Sequence, residues 1–198
     1  MLSQIDTILF PDSCEVLEVA PRRFVYPIHK NGSTSLHNSG FRKLELEEIK
    51  QLDMIEVFVR DPVDRYVSGV TKFVEDTELD DYTVLHFVDN YLFLNNHYAP
   101  QFYWLLNLQR FTEAKLILRP LDQLNTITKL HHNISDKNKL VRVSNKVQFY
   151  LKLDQVLVGE LLGKTVTFKQ IVQTIKHRYP EVYKEVIQRS IDLCNVLV

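Results

Sequence analysis

The chain has few of the features that mark membrane, secreted or strongly charged proteins. Its 198 residues include only two cysteines and five glycines, and the formal net charge is −1. Two cysteines are too few for a disulfide framework, and a near-neutral chain has no overall attraction for nucleic acid or an anionic membrane. No stretch reaches the length of about 18 consecutive apolar residues that a membrane helix needs. Any site for an anion must therefore be local.

The composition is otherwise that of an ordinary globular domain. Hydrophobic residues make up 45% and charged residues 25% of the chain, which argues against long disordered segments. No repeat, low-complexity tract or flexible linker divides the chain, so we expect a single domain over residues 1–198. The N-terminal residues lack the basic region of a signal peptide. We expect Cys14 and Cys194 to be free thiols in a reducing compartment. The alternative is a single disulfide between them.

Short apolar, β-favouring runs alternate with helical segments. We predict strands at residues 24–28, 55–59 and 115–118. Helices are predicted at residues 33–44 (with Gly40 as a weak point), 44–52, 60–74, 82–95, 120–130, 168–179 and 181–196. This alternation is typical of an α/β fold with a parallel sheet, whose ligands bind at the carboxyl ends of the strands.

The loop after the first predicted strand combines a positive charge, a glycine and hydroxyl groups. It lies in the segment FVYPIHKNGSTSL, residues 24–36. Gly32 permits a tight turn, Lys30 supplies a compact cation, and the backbone N–H groups of the next helix can point at an anion. Hydroxyl donors follow at Ser33, Thr34 and Ser35. The alternative is a simple helix cap with a solvent-exposed lysine.

The second predicted strand ends in a second candidate anion site. In RDPVDRYVSGV, Asp61 is a good N-cap and Pro62 suits the first helical position. Arg60 stands at the tip of the strand, and Arg65 and Ser68 are three residues apart on one helix face. A guanidinium and a hydroxyl at this place suit a phosphate group. The alternative is a surface ion pair, either Arg60–Asp64 or Arg65–Asp61.

Together the two loops resemble those of sulfotransferases. PIHKNGSTSL is similar to the family's 5′-phosphosulfate loop, and RDPVDRYVS to its 3′-phosphate-binding strand and helix. The closest resemblance is to the carbohydrate sulfotransferase branch that includes the chondroitin enzymes. Three later segments resemble that branch in the same order: HYAPQ (His97–Gln101), LHHNIS (Leu130–Ser135) and YPEVYKEVIQRSIDL (Tyr179–Leu193).

The resemblance implies a three-layer, P-loop-like α/β domain with a short central parallel sheet flanked by helices. It also implies 3′-phosphoadenosine 5′-phosphosulfate (PAPS) as the sulfuryl donor, with no metal. The residues that would hold the 5′ end are Lys30, Asn31, Gly32, Ser33, Thr34 and Ser35, and those for the 3′-phosphate are Arg60 and Ser68. During in-line transfer, Lys30 would also stabilise the negative charge that develops on the oxygen bridging sulfur and phosphorus. The expected acceptor is a hydroxyl group. A carbohydrate is the first candidate, and a lipid or a small metabolite is the alternative.

A hydroxyl acceptor needs a general base, and several side chains compete for that role. His97 ranks first because it lies in the family-like HYAPQ segment, and Glu75 and Asp76 come next. His37 is one turn beyond the first loop, where it can face the donor instead. His29 adjoins the lysine of that loop, but a continued strand pleat would turn it to the opposite side.

Two other functions stay open at this stage. One is a small P-loop kinase, against which the lysine placed before the glycine and the low glycine content both argue. The other is a domain that binds PAPS, or its desulfated product, without catalysis. The aromatic residues 102–104 either line an acceptor cleft or, more commonly for such a cluster, belong to the core. Lacking an apolar anchor and having few cysteines, the chain is expected to be a cytoplasmic microbial or viral enzyme.

Overall fold

A mixed six-stranded β-sheet forms the centre of the fold. The computed structural model describes residues 15–77, 79–92, 97–128 and 143–184. The strands are β1 (Leu17–Ala20), β2 (Arg23–Tyr26), β3 (Arg42–Lys43), β4 (Met54–Val59), β5 (Lys115–Pro120) and β6 (Thr165–Val166). They lie in the order β3-β1-β2-β4-β5-β6. β2, β4 and β5 run parallel to one another, and the remaining strands pair antiparallel at the two sides.

Helices connect the strands. They are α1 (Ser33–Asn38), α2 (Leu46–Lys50), α3 (Pro62–Thr77), α4 (Asp81–Tyr91), α5 (Gln101–Leu108), α6 (Asn145–Leu161), α7 (Phe168–Arg178) and α8 (Pro180–Val182), with a 3₁₀ helix at Leu121–Thr126. The predicted start of α3 is confirmed. The Asp61 carboxylate accepts hydrogen bonds from the N–H groups of Val63 and Asp64 at 2.9 and 3.0 Å, and Pro62 is the first helical residue.

The two faces of the sheet contribute to two separate core clusters. Ile55 and Val57 of β4 pack in the larger cluster with side chains of α3, α5, α6 and α7. Phe58 of the same strand packs in the smaller one with Leu36 of α1 and Leu124 of the 3₁₀ helix. Because successive side chains of a strand point to opposite faces, helices cover both faces of the sheet. The predicted α/β fold with a helix-flanked central sheet is confirmed, while its P-loop-like character stays a prediction.

Several predicted elements differ from the observed ones. The helix predicted at residues 33–44 ends at Asn38, since Gly40 takes a left-handed φ of 69° and the chain then enters β3. The segment predicted as a helix at residues 120–130 begins with the short 3₁₀ helix. The sheet is also not wholly parallel, since β1, β3 and β6 pair antiparallel. These strands have only two to four residues, too few to show the alternating pattern by which a strand is predicted.

Helices α5 and α6 were not predicted. Every residue of α5 is buried, so its sequence has no apolar and polar faces that alternate with a helical period. The LHHNIS segment, residues 185–196 of the last predicted helix, Cys14 and Cys194 lie outside the described residues. A single domain over the whole chain stays a prediction. Among the described helices, none combines the length and the apolar character needed to span a bilayer.

Candidate functional site

The loops that follow β2 and β4 leave the sheet at the same edge. The two strands are parallel neighbours, with Tyr26 paired to Val57, so their carboxyl ends lie side by side. The loop after β2, residues 27–32, is called the cradle loop below and contains Lys30. The loop after β4 begins at Arg60. Both predicted anion sites are thus at the edge of the sheet where α/β proteins bind ligands.

The backbone of the cradle loop is left-handed at two positions. Lys30 has a φ of 66° and Gly32 a φ of 77°. The glycine adopts this conformation freely, whereas for a lysine it costs roughly 1–3 kcal/mol and persists only where the surroundings impose it. Turns of this kind direct successive N–H groups into a concavity that suits an anion. Arg22, in the turn between β1 and β2, has a similar φ of 60°, so this conformation marks a tight turn and the functional interpretation depends on the contacts of the loop.

Asn31 holds the cradle loop from the interior. Its side chain is buried, and Nδ2 donates to the carbonyl oxygen of Phe58 at 2.9 Å and to Oε1 of Gln101 at 2.6 Å. Its own N–H donates to the carbonyl oxygen of Ile28 at 3.0 Å. The side chain of this predicted ligand-binding residue is thus turned away from the edge, and its contacts keep the cradle loop in its strained shape.

Gln101 at the start of α5 reaches both loops. Its Oε1 accepts from the N–H of Arg60 at 2.9 Å, in addition to Asn31, and its Nε2 donates to the carbonyl oxygen of Arg60 at 2.8 Å. The N–H groups of Gln101 and Phe102 donate to the buried carboxylate of Asp154 at 2.9 and 3.0 Å. One buried amide therefore connects the cradle loop, the end of β4 and, through α5, helix α6.

Arg65 lies beneath this edge and is only 2% exposed. Its Nε donates to the carbonyl oxygen of His29 at 3.0 Å, and NH1 donates to that of Ala99. Burial lowers the pKa of Arg65 to about 10, against an opposing attraction from the Asp154 carboxylate. Both surface interpretations of Arg65, as part of a phosphate site or as a pair with Asp61, are wrong, because the chain folds a loop over this side of α3.

Arg60 and Ser68 are both partly exposed at the edge. Within the described residues, the guanidinium of Arg60 has neither a hydrogen-bond nor an ion-pair partner, and the alternative pair with Asp64 is not formed. The backbone of Arg60 is nevertheless fixed by Gln101 on both its N–H and its carbonyl. Arg60 therefore combines an anchored main chain with a side chain available to a ligand.

Two histidines meet beside the cradle loop. The ring of His29 stacks on Trp104, with centroids 5.3 Å apart, and the ring of His97 approaches it edge-on at 5.9 Å. The condition under which His29 would turn away from Lys30 is not met, since β2 ends at Tyr26 and the strand pleat does not continue to residue 29. Burial, followed by the charge of His97, lowers the pKa of His29.

A glycine in α3 permits a close approach of the His97 backbone to this helix. A Cβ atom at Gly69 would lie 2.2 Å from the carbonyl oxygen of His97 and 3.1 Å from Cα of Tyr98. The chain therefore crosses α3 in direct backbone contact. No larger residue at this position permits the same approach.

The predicted catalytic side chains influence one another electrostatically. Burial and the charge of Lys72 lower the pKa of Lys30, while the carboxylates of Asp76 and Glu75 raise it. Burial and the charge of Lys30 likewise lower the pKa of His97, which the Asp76 carboxylate raises. Lys72 and Asp76 form an exposed ion pair at 2.6 Å. The charges of Asp76 and Glu75 thus act on Lys30, and those of Lys30 and Asp76 act on His97.

The hydroxyl residues of α1 differ in exposure: Ser33 is buried, Ser35 partly buried and Thr34 exposed. Gly32 is the N-cap and provides no side chain to bond the first N–H groups of the helix. Several other helices begin with a side-chain cap, at Asp61, Asp80, Ser144 and Thr167. Because α1 has only six residues, its anion-binding capacity rests on the loop and its side chains rather than on a helix dipole.

The remaining candidates lie elsewhere or have other roles. His37 is exposed and approaches the carboxylate of Glu15 at 3.5 Å, on the outer side of α1. Phe102, Tyr103 and Trp104 are buried in the larger core cluster, as the core alternative expected. Over the described ranges, no three histidine, cysteine, aspartate or glutamate side chains form a group that could hold a metal ion.

Some residues of the site had little or no signal in the sequence. In the sequence, Gln101 is marked only as the last residue of the family-like HYAPQ segment. No sequence pattern indicates that Gly69 faces a crossing backbone. Asp154 does have a detectable signal, because it is an acid next to the apolar face of the FYLKLDQVL segment. Comparison of the chain with protein-family models, with curated proteins and with solved structures finds no match.

Proposed function

We propose that the protein is a sulfotransferase that moves the sulfuryl group of PAPS to an acceptor hydroxyl, first of all that of a carbohydrate. The observation that supports this most is the bridge through Gln101. It joins the strained cradle loop to the backbone of Arg60, so that two candidate anion sites lie together at one edge of the sheet. A nucleotide with phosphate groups at both ends matches such a pair of sites.

The donor would be held by the residues that the sequence singled out. The cradle loop would take the 5′-phosphosulfate with its N–H groups, the Lys30 ammonium and the hydroxyls of residues 33–35. Arg60 and Ser68 would take the 3′-phosphate, and this role is supported by the guanidinium of Arg60, which has no side-chain partner in the described part of the chain. Asn31 contributes through the shape of the loop.

In the proposed reaction, the acceptor oxygen forms a bond to sulfur as the bond from sulfur to the 5′-phosphate oxygen breaks. The electron pair of that bond stays on the phosphate oxygen, where Lys30 stabilises the developing charge. His97 accepts the proton of the acceptor hydroxyl. The pKa of His97 lies below its ordinary value of 6.5, so at neutral pH the ring is in the unprotonated form that a base requires. Glu75, which is exposed on α3 and whose charge raises the pKa of Lys30, is the alternative base.

Calorimetric titration of the protein with 3′,5′-adenosine bisphosphate and with ATP tests the donor site. We expect the bisphosphate to bind and ATP to bind much more weakly, because ATP lacks a 3′-phosphate for Arg60 and Ser68. Tight binding of ATP without binding of the bisphosphate would contradict the proposal and favour a kinase. Transfer of labelled sulfate from PAPS to a panel of glycans then separates an enzyme from a domain that only binds the nucleotide.

Replacement of Lys30 tests the reaction itself. Lys30→Met is expected to lower kcat by about 10²–10³-fold, the usual effect of removing one group that stabilises transition-state charge. Lys50→Met is the matched control, since Lys50 is an exposed lysine on α2 that pairs with Glu47. Equal activity of the two variants would exclude the proposed role of Lys30.

A further inference from the structure

We propose that Gln101 is a positioning residue that sets the distance between the cradle loop and Arg60, so that both phosphate-bearing ends of one nucleotide bind at the same time. This assignment rests on the proposed function. Gln101 itself reaches no ligand, because its side chain is fully buried. Its effect on binding would be transmitted by the two loops that it holds.

The side-chain amide of Gln101 makes the two backbone hydrogen bonds that a neighbouring strand would make to the residue just after β4. β4 stops at Val59, and the next residue, Arg60, receives from Gln101 both an acceptor for its N–H and a donor for its carbonyl oxygen. Two residues earlier, the carbonyl oxygen of Phe58 accepts from Asn31. Side-chain amides thus continue the hydrogen bonding of β4 past its last strand residue.

The same oxygen of Gln101 also binds the cradle loop. Oε1 accepts from Asn31 at 2.6 Å and from the N–H of Arg60 at 2.9 Å, so the two donors are held by a single atom. This atom has little freedom to move, since Nε2 of the same amide donates to the Arg60 carbonyl at 2.8 Å and the main-chain N–H of Gln101 donates to the buried carboxylate of Asp154 at 2.9 Å. The spacing of the two loops is therefore fixed by one rigid contact.

Fixed spacing matters because two linked binding events reinforce each other only if the geometry permits both. Simultaneous engagement can raise the affinity by about 10²–10⁴-fold over either end alone, and the gain is lost when the sites move apart. Loss of Gln101 should therefore weaken a ligand with both phosphates much more than a ligand with one. A general loss of structure would instead weaken every ligand equally.

The test is to measure the dissociation constants of 3′,5′-adenosine bisphosphate, 5′-AMP and 3′-AMP with wild-type protein and Gln101→Met. The variant keeps the length and burial of the side chain but removes its hydrogen bonds. We expect the bisphosphate affinity to fall at least about tenfold, while the two monophosphates change by less than about twofold. Asn107→Leu, which removes a second buried amide from the same helix, is the matched control. It should leave the dissociation constants of all three ligands at their wild-type values.

A second variant keeps the test decisive if Gln101→Met does not fold. Gln101→Asn keeps a neutral amide in this buried site but is one methylene shorter, so it cannot bond Asn31 and both backbone groups of Arg60 at the same time, and a selective loss of bisphosphate binding is again expected. Equal weakening of all three ligands in the folded variant, or unchanged bisphosphate affinity, would overturn the assignment. Failure of wild-type protein to bind the bisphosphate would instead overturn the proposed function, and this assignment with it.

Discussion

Two layers of polar residues meet at the carboxyl edge of the sheet, and their burial is opposite. The lower layer consists of Asn31, Arg65, Gln101 and Asp154, all of which are buried. The upper layer consists of Lys30, Arg60, Ser68, Glu75 and His97, all of which are partly or fully exposed. The lower residues bond backbone groups and one another, whereas the upper ones have side chains that are accessible to solvent.

The difference shows how a small α/β fold can hold a strained loop without covering it. Buried hydrogen bonds to charged or amide groups are costly to break, since the partner that remains loses its compensation. They can therefore impose a left-handed φ on Lys30 from below while this residue remains partly exposed above. Changes in the lower layer should act on folding and, at Gln101, also on binding through the spacing of the two loops, whereas changes in the upper layer should act on binding and rate without loss of stability.

The largest expected effect separates the two arginines. Arg65→Met leaves two carbonyl oxygens without their donor and Asp154 without its attracting charge, so unfolding free energy should fall by about 3–5 kcal/mol. Arg60→Met should change it by no more than about 0.5 kcal/mol while weakening nucleotide binding. Urea denaturation monitored by circular dichroism measures both. Equal stabilities for the two variants would remove the distinction between the layers.

An intermediate effect is expected at the crossing of the 97–99 segment over α3. Gly69→Ala would place a methyl group against the carbonyl oxygen of His97, so the segment must shift at a cost of about 1–3 kcal/mol. The shift should also lower kcat by moving the His97 ring. Gly159→Ala, in a helix with open space around it, should instead be neutral or stabilising by up to about 1 kcal/mol. Thermal denaturation and the transfer assay together check this pair.

The smallest effect concerns the pH dependence of the upper layer. The rate should be lost on the acid side as His97 becomes protonated, with a midpoint below 6.5 because burial and Lys30 lower its pKa. Asp76→Asn removes a charge that raises this pKa, so the acid limb of kcat/KM should move to lower pH. The shift should shrink as salt is added, since Asp76 is exposed. A shift to higher pH would exclude His97 as the base.

Much of the edge was predictable because it rests on local signals. Asp61 and Pro62 predicted the start of α3, and the apolar run before Arg60 predicted β4, since caps and buried strands depend on a few adjacent residues. Helix length was less predictable, and α1 ended six residues before the predicted boundary at residue 44. The true orientation of His29 could not be predicted, because it depends on where β2 stops and on Trp104.

By itself, the sequence determined the alternation of strands and helices, the capped start of α3, and which charges lie near strand ends, because each follows from neighbours in the chain. The tertiary structure alone decided which of these charges are buried. Arg65 is buried, whereas Arg60 is partly exposed. The cause is the packing of segments distant in sequence against one side of α3 and the end of β4, namely Gln101, Asp154 and the 97–99 segment. Burial is a property of such long-range contacts, and through it chemically identical side chains five residues apart acquire different surroundings and different bonding partners.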